Sequence, residues 1–132
     1  LKQFESLAAA DPGDADAAMC VGTWHLDSII DLGGLLAGIA LGAKKATGLA
    51  MTDRAVALGG RRAMYPGLAA LLRLSIDPAD PRGRKLAEMA SAGTVSIPLD
   101  RIFRRHAAAI LVSLKAGDRD DTQKLARQLL PA

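Results

Sequence analysis

Apolar residues recur every three to four positions along most of the chain, which is the spacing of one face of an α-helix. Within residues 99–117 this spacing joins six apolar residues that we expect to face the core: Ile102, Phe103, Ala107, Ile110, Leu111 and Leu114. The strict alternation of half-buried strands is hard to find anywhere. The pattern therefore predicts an all-α protein, with helices over residues 14–31, 44–58, 62–76, 82–93, 99–117 and 118–130.

Capping and turn residues separate these helices. Asp14 or Asp16 can accept the free amide hydrogens of the first helical turn. Pro66 is tolerated only in the first turn of its helix, where no amide hydrogen is needed. Glycine or proline marks the helix ends, at residues 33–34, 59–60, 77–81, 93 and 117. The result is three antiparallel helix pairs and a further fragment over residues 1–10.

The stretch over residues 31–45 contains no charge between Asp31 and Lys44, which raises the possibility of a membrane segment. Twelve uncharged residues are too few, because a spanning helix needs roughly twenty. Glycines at every fourth position instead permit a close contact between helices or a glycine-rich connection. We expect residues 33–43 to form a helical or tightly turned excursion on the surface.

The second helices of the three pairs share a pattern of small or slim residues three to four positions apart. The first members of these triplets are 35 and then 39 residues apart, a period that is typical of helical repeats. Such residues let two helices approach closely, and we expect Ala55 and Ala90 to be buried between paired helices. The triplets are Gly48, Thr52 and Ala55; Gly83, Ala87 and Ala90; and Thr122, Ala126 and Leu129.

These residues resemble the tetratricopeptide repeat (TPR) family, which pairs two helices in about 34 residues. Gly22 and Trp24 are similar to the family's glycine and aromatic residue in the first helix, and Ala55 within "TDRAVAL" to its characteristic second-helix alanine. The "GDRDDTQKLARQLLP" segment resembles a closing repeat. The resemblance implies one domain over residues 1–132, a right-handed superhelical array of three degenerate stacked hairpins over about 14–59, 63–94 and 98–131. It also implies a non-catalytic scaffold that binds a protein or peptide through a concave surface.

Composition and charge narrow the alternatives. The chain is 50% hydrophobic but only 3% aromatic, so its core must be built from aliphatic side chains. The net charge of +3 comes without a dense basic tract, which makes nucleic acid an unfavoured partner. The single cysteine, Cys20, excludes an intrachain disulfide framework and favours the cytoplasm. Because the chain begins at Leu1, an upstream signal or anchor is an open alternative.

The sequence contains few residue patterns that are typical of catalytic or metal-binding sites. His25 and His106 do not stand at metal-ligand spacing to another ligand, and His25 is interpreted as a hydrogen-bonding residue between helices. Neither a phosphate-binding loop nor a G-x-S-x-G signature is found. We therefore expect neither an enzyme nor a bound cofactor or metal.

Two regions carry the candidate partner-binding residues. Trp24, Asp27 and Tyr65 lie on the first helices of the first two pairs, and the two aromatic residues are either core packing or anchors for a partner. On the helix over 99–117, one stripe is basic and would line the groove of the predicted array. A solvated charged face, a small helical nucleic-acid-binding or regulatory domain, and a small-ligand site under the glycine stretch are the alternatives. The basic residues are Arg101, Arg104, Arg105 and Lys115.

Overall fold

A computed structural model describes residues 2–131, apart from the side chains of Phe4, Leu35, Ala40 and Leu41. Within that range the chain forms eight α-helices and no strand, so the all-α prediction is confirmed. The helices match the predicted segments, and the fragment near the start and the glycine stretch are helical as well. They are α1 (Lys2–Ala10), α2 (Ala15–Leu32), α3 (Gly34–Leu41), α4 (Lys45–Leu58), α5 (Met64–Ile76), α6 (Pro81–Ser91), α7 (Pro98–Ala116) and α8 (Arg119–Leu129).

The helix ends follow the local chemistry of the sequence. Of the two predicted capping residues, Asp14 caps α2 by accepting a hydrogen bond from the Ala17 amide at 3.1 Å. Asp80 and Asp118 cap α6 and α8 in the same way. Gly117 ends α7 with a φ of 85°, a left-handed conformation that favours glycine.

The chain divides between Gly60 and Arg61 into two compact units. In the first unit, α2 packs against α1, α3 and α4. Gly22 and Gly48 let α2 and α4 meet closely, since a Cβ on Gly22 would lie 2.6 Å from Thr52 Cγ2 and one on Gly48 2.7 Å from Leu26 Cδ2. These contacts pair the start of one helix with the end of the other, so α2 and α4 form an antiparallel hairpin.

The glycine stretch forms α3, which confirms the predicted helical excursion. Ala37 is fully buried, whereas Leu36 and Ile39 are exposed. Gly42 ends α3 in the left-handed conformation, and α4 begins shortly afterwards with Lys44 as its N-cap. No helix within residues 2–131 combines the length and the apolar character that crossing a bilayer requires.

The second unit is organised around α5, which contacts α6, α7 and α8. Ten of its thirteen residues are buried, so the helix is enclosed on nearly all sides. Gly67 lets α7 approach, because a Cβ there would lie 2.7 Å from Phe103 Cβ. Gly83 does the same for α6 beside Leu74. The helix begins at Met64, so Pro66 lies in its first turn as expected.

The far end of α5 is satisfied by side chains of α8. The Ser75 carbonyl accepts hydrogen bonds from Gln123 Nε2 at 3.0 Å and from Arg127 Nε and Nη2 at 3.2 and 3.1 Å. The last carbonyls of a helix have no partner within the helix and carry partial negative charge. The Arg127 cation therefore both pairs and neutralises the end of α5, and it fixes α8 against it.

The small-residue triplets lie where the sequence predicts. Every member is buried except Leu129, which is half-buried. The prediction that Ala55 and Ala90 are buried is confirmed, since both are fully inaccessible to solvent. The prediction of one domain over the whole chain stays a prediction.

We expect the Ala55→Leu variant to lose about 1–3 kcal/mol of the free energy of unfolding, because the longer side chain overpacks the face of α4 that meets α2. Ala57→Leu is the matched control on the same helix, because Ala57 is exposed and its substitution should change stability by less than about 0.5 kcal/mol. Urea denaturation of the two variants measures the difference. Equal midpoints would contradict the placement of Ala55.

Candidate functional site

The two faces of α7 differ sharply in what they contact. Phe103, Ala107 and Ile110 are buried and form the core-facing stripe. The expectation that Ile102 belongs to this stripe is wrong, because its side chain is 44% exposed. Successive helical residues are about 100° apart, so once Phe103 points at Gly67, Ile102 is turned to the edge of the core.

Ile102 instead forms part of an open groove at the start of α7, with a volume of about 530 Å³. We call this feature the α7 groove. It has two adjacent strips, one apolar and one basic. Its lining residues are the apolar Val95, Ile97, Pro98 and Ile102, the polar Ser96, and the basic Arg101 and Arg105.

Three arginines lie in or beside the α7 groove. Arg101 and Arg105 are exposed and Arg104, beside the groove, is half-buried. None of the three forms an ion pair with a described carboxylate. The only acidic residue of α7, Asp100, is buried and directed toward α5. The solvent side of this turn therefore carries positive charge that no carboxylate within the described residues pairs.

The buried carboxylate of Asp100 builds one wall of the groove. Its Oδ2 accepts hydrogen bonds from the Ser96 amide at 2.8 Å, the Ile97 amide at 3.0 Å and Arg62 Nε at 3.2 Å. Its Oδ1 accepts the Met64 amide at 3.1 Å. Burial alone would raise the pKa of Asp100, but these hydrogen bonds prevail and lower it. A single charged group thus joins the first turns of α5 and α7 and shapes the chain before α7.

The segment that enters the groove wall is held at a second point. The Thr94 amide donates to the Arg61 carbonyl at 2.7 Å, and the Thr94 carbonyl accepts the Ala63 amide at 3.0 Å. Next to this bridge, Gly93 leaves no space for a side chain, since a Cβ would lie 2.8 Å from Ala63 Cα. Residues 93–97 are therefore held by hydrogen bonds and close packing at both ends of the segment.

The other predicted partner residues of the second unit lie elsewhere. Tyr65 is only 3% exposed, and the Arg62 guanidinium lies 5.2 Å from its ring centre, so little of its side chain is open to a partner. Lys115 is exposed near the end of α7 but does not line the groove. Of the predicted set, the structure brings together Arg101 and Arg105, with Arg104 next to them.

Trp24 and Asp27 lie on α2 in the first unit, where both are half-buried. The Trp24 ring meets the ring of His25 edge-on, with 5.1 Å between the ring centres. Burial raises the pKa of Asp27, and the negative charge of Asp31 raises it further. Within residues 2–131 no cluster of three or more His, Cys, Asp or Glu side chains is arranged to hold a metal ion.

His25 joins α2 to the start of α4, as the sequence predicts for a hydrogen-bonding residue between helices. It is buried, and its Nδ1 accepts a hydrogen bond from the Lys44 amide at 2.9 Å. An acceptor Nδ1 requires the neutral imidazole. Burial lowers the pKa of His25, and the charge of Glu5, which acts in the opposite direction, does not offset this.

Replacing Asp100 by Asn should cost about 1–3 kcal/mol of unfolding free energy, because an amide cannot accept all of these hydrogen bonds. Asp118→Asn is the matched control, since Asn is an equally good cap at that exposed position. The pKa of Asp100 is lowered in the folded protein, so its contribution is complete above the ordinary value of 3.8 and is lost as pH falls through the folded pKa. Urea denaturation from pH 6 to pH 2 should show this step in wild type and not in D100N.

Acid should also weaken the first unit through His25. The pKa of His25 is lower in the folded protein than in the unfolded chain, so the unfolded chain binds the proton first as pH falls. The free energy of unfolding of the first unit should therefore decrease below about pH 6.5. Amide hydrogen exchange at Lys44, corrected for the intrinsic rate at each pH, measures this loss. His25→Gln should remove the pH dependence and His106→Gln should leave it. A Lys44 amide equally protected at pH 7 and pH 5 in wild type would count against this linkage.

Comparisons with known proteins leave the identification of function to the geometry. No protein-family model, no curated protein and no solved structure matches this chain. What the protein does must therefore follow from its own residues, and foremost from the α7 groove.

Proposed function

We propose that this protein is a non-catalytic helical interaction domain that holds a protein or peptide partner in the α7 groove. The observation that carries the proposal is the combination of an exposed apolar strip with arginines that no described carboxylate neutralises. An exposed apolar surface bordered by charge is typical of interaction sites. The partner segment accordingly supplies acidic and apolar side chains.

The chemistry of the groove favours protein over nucleic acid. Proteins that bind single strands stack bases on exposed aromatic rings, but both aromatic residues of the second unit, Tyr65 and Phe103, are buried. Phosphate contacts would use the arginines and leave Ile97 and Ile102 uncovered. A peptide can satisfy both strips at once.

We further propose that the helices of this protein form degenerate TPR-like hairpins. The triplets on α4, α6 and α8 support it, because all their members but Leu129 are buried and they lie on the second helix of each hairpin, as in the repeat family that the sequence resembles. Contacts of α7 with both α5 and α6 are what adjoining hairpins would make. The additional contact of α5 with α8 is closer to a four-helix bundle. A right-handed superhelical array of three hairpins stays a prediction of the resemblance.

A charge-reversal experiment tests the function. Peptides selected on the wild-type protein from a random display library should be enriched in Asp and Glu beside aliphatic residues. Arg101→Glu combined with Arg105→Glu should weaken their binding at least about tenfold, and wild-type binding should weaken as salt rises. Arg104 is left unchanged because it is half-buried and its substitution could disturb folding. A loss of binding in the double variant is then not due to misfolding at Arg104.

The matched control reverses two lysines of the same unit away from the groove. Lys85 and Lys124 are exposed and form no ion pair with a described residue, so Lys85→Glu with Lys124→Glu makes the same change in net charge. This control should bind the selected peptides like wild type. An equal loss of peptide binding in both double variants would mean that net charge, rather than the groove arginines, determines binding. Retained binding in R101E/R105E would place the interaction outside the α7 groove.

A further inference from the structure

We infer that the segment bound in the α7 groove is an amphipathic α-helix with two carboxylates one helical turn apart. This inference rests on the proposed function and specifies the shape and the charge spacing of its partner. It follows from how the two strips of the groove are arranged and from which backbone groups on its wall are already paired.

The spacing of the basic strip matches a helix. Arg101 and Arg105 are four residues apart on α7, which places them on one edge and about 6 Å apart along the helix axis. A helix lying along α7 with acidic residues at positions i and i+4 has the same spacing. Each carboxylate would then meet one guanidinium, and neither arginine would be left over.

The two strips lie side by side, and this separates a helix from an extended peptide. Ile102 is one residue after Arg101, so the apolar strip lies about 100° around α7 from the basic strip. A helix carrying acids at i and i+4 places residues i−1 and i+3 on a stripe beside them, so one face offers both kinds of side chain. An extended segment directs successive side chains to opposite faces, and its apolar residues would point away when its acids meet the arginines.

Several backbone groups along the groove wall are also unavailable to an extended peptide. Peptides that add as strands depend on unpaired main-chain groups. Here the Ser96 and Ile97 amides are taken by Asp100, and the Thr94 amide and carbonyl are taken by Arg61 and Ala63. A helix satisfies its own backbone internally and needs only side-chain contacts, which are what Ile97, Ile102 and the arginines provide.

The test uses a library of synthetic helical peptides of about five turns, in which two Glu residues are fixed at i and i+4. The stripe at i−1 and i+3 is randomised among Leu, Ile, Val, Met and Ala. The tightest binder is measured by fluorescence anisotropy beside two derivatives. One has a proline in place of a central residue on the opposite face, which breaks the helix and keeps the charges. The other has Lys in place of both Glu residues.

We expect the proline derivative to bind at least about tenfold more weakly than the helical parent. Its chain is disordered before binding, so ordering it on binding costs free energy that the helical parent does not lose. The lysine derivative should not bind wild type but should bind R101E/R105E, and this exchange of specificity also shows that the variant is folded. Ile102→Ser should weaken the parent peptide, whereas Val112→Ser, at a 70% exposed position on the same helix, should not.

The results separate this inference from the function beneath it. Equal affinity of the helical and proline peptides, or no binder in the helical library, would overturn the helical partner. In either case, acidic peptides from the random display library that still require Arg101 and Arg105 would leave the proposed function standing. Binding of a single-stranded oligonucleotide that depends on these arginines, with no peptide bound, would overturn both.

Discussion

Close approach of helices at glycine is the constraint on which both units depend. With only 3% aromatic residues, the core cannot be filled by large rings between distant helices, so the helix axes must come together. Thr52 packs against Gly22 in the first unit, and Phe103 packs against Gly67 in the second. Even one methyl group at either glycine would collide with its neighbour. These contacts set the register of the helices. The position of the α7 groove follows from the packing of Phe103 against Gly67.

The buried carboxylate of Asp100 turns this packing into a defined surface. Removing a charge from water is expensive, and it is tolerated only where hydrogen bonds replace the lost hydration. Three amides and Arg62 provide them, so the lowered pKa of Asp100 reflects a net gain over the cost of burial. The same bonds remove the Ser96 and Ile97 amides from the surface. Two amides along the wall of the α7 groove are therefore already paired within the protein.

Much of the fold could be predicted because the relevant signals are local. Helix ends follow from Asp14 and Gly117, and the burial of Ala55 follows from the spacing of small residues on one helical face. The exposure of Ile102 could not be predicted this way, because periodicity marks a face but not its width. The role of Asp100 escapes sequence reasoning for a related reason. Pro98 and Asp100 are ordinary residues for a first helical turn, and only the tertiary approach of Met64 and Arg62 reveals the carboxylate as a junction.

The exposure of Ile102 and the positive charge beside it have a common origin in the geometry of α7. One exposed aliphatic side chain needs no explanation, since much of any protein surface is apolar. Here, however, Ile102 adjoins Ile97 and Pro98, while Asp100, the acid that could have neutralised Arg101 or Arg104 on the same turn, is buried against α5. The hydrogen bonds that stabilise the start of α7 thus leave its outer side without a negative charge. The stability of this part of the fold and the positive charge of its surface are in this way two consequences of the same buried carboxylate.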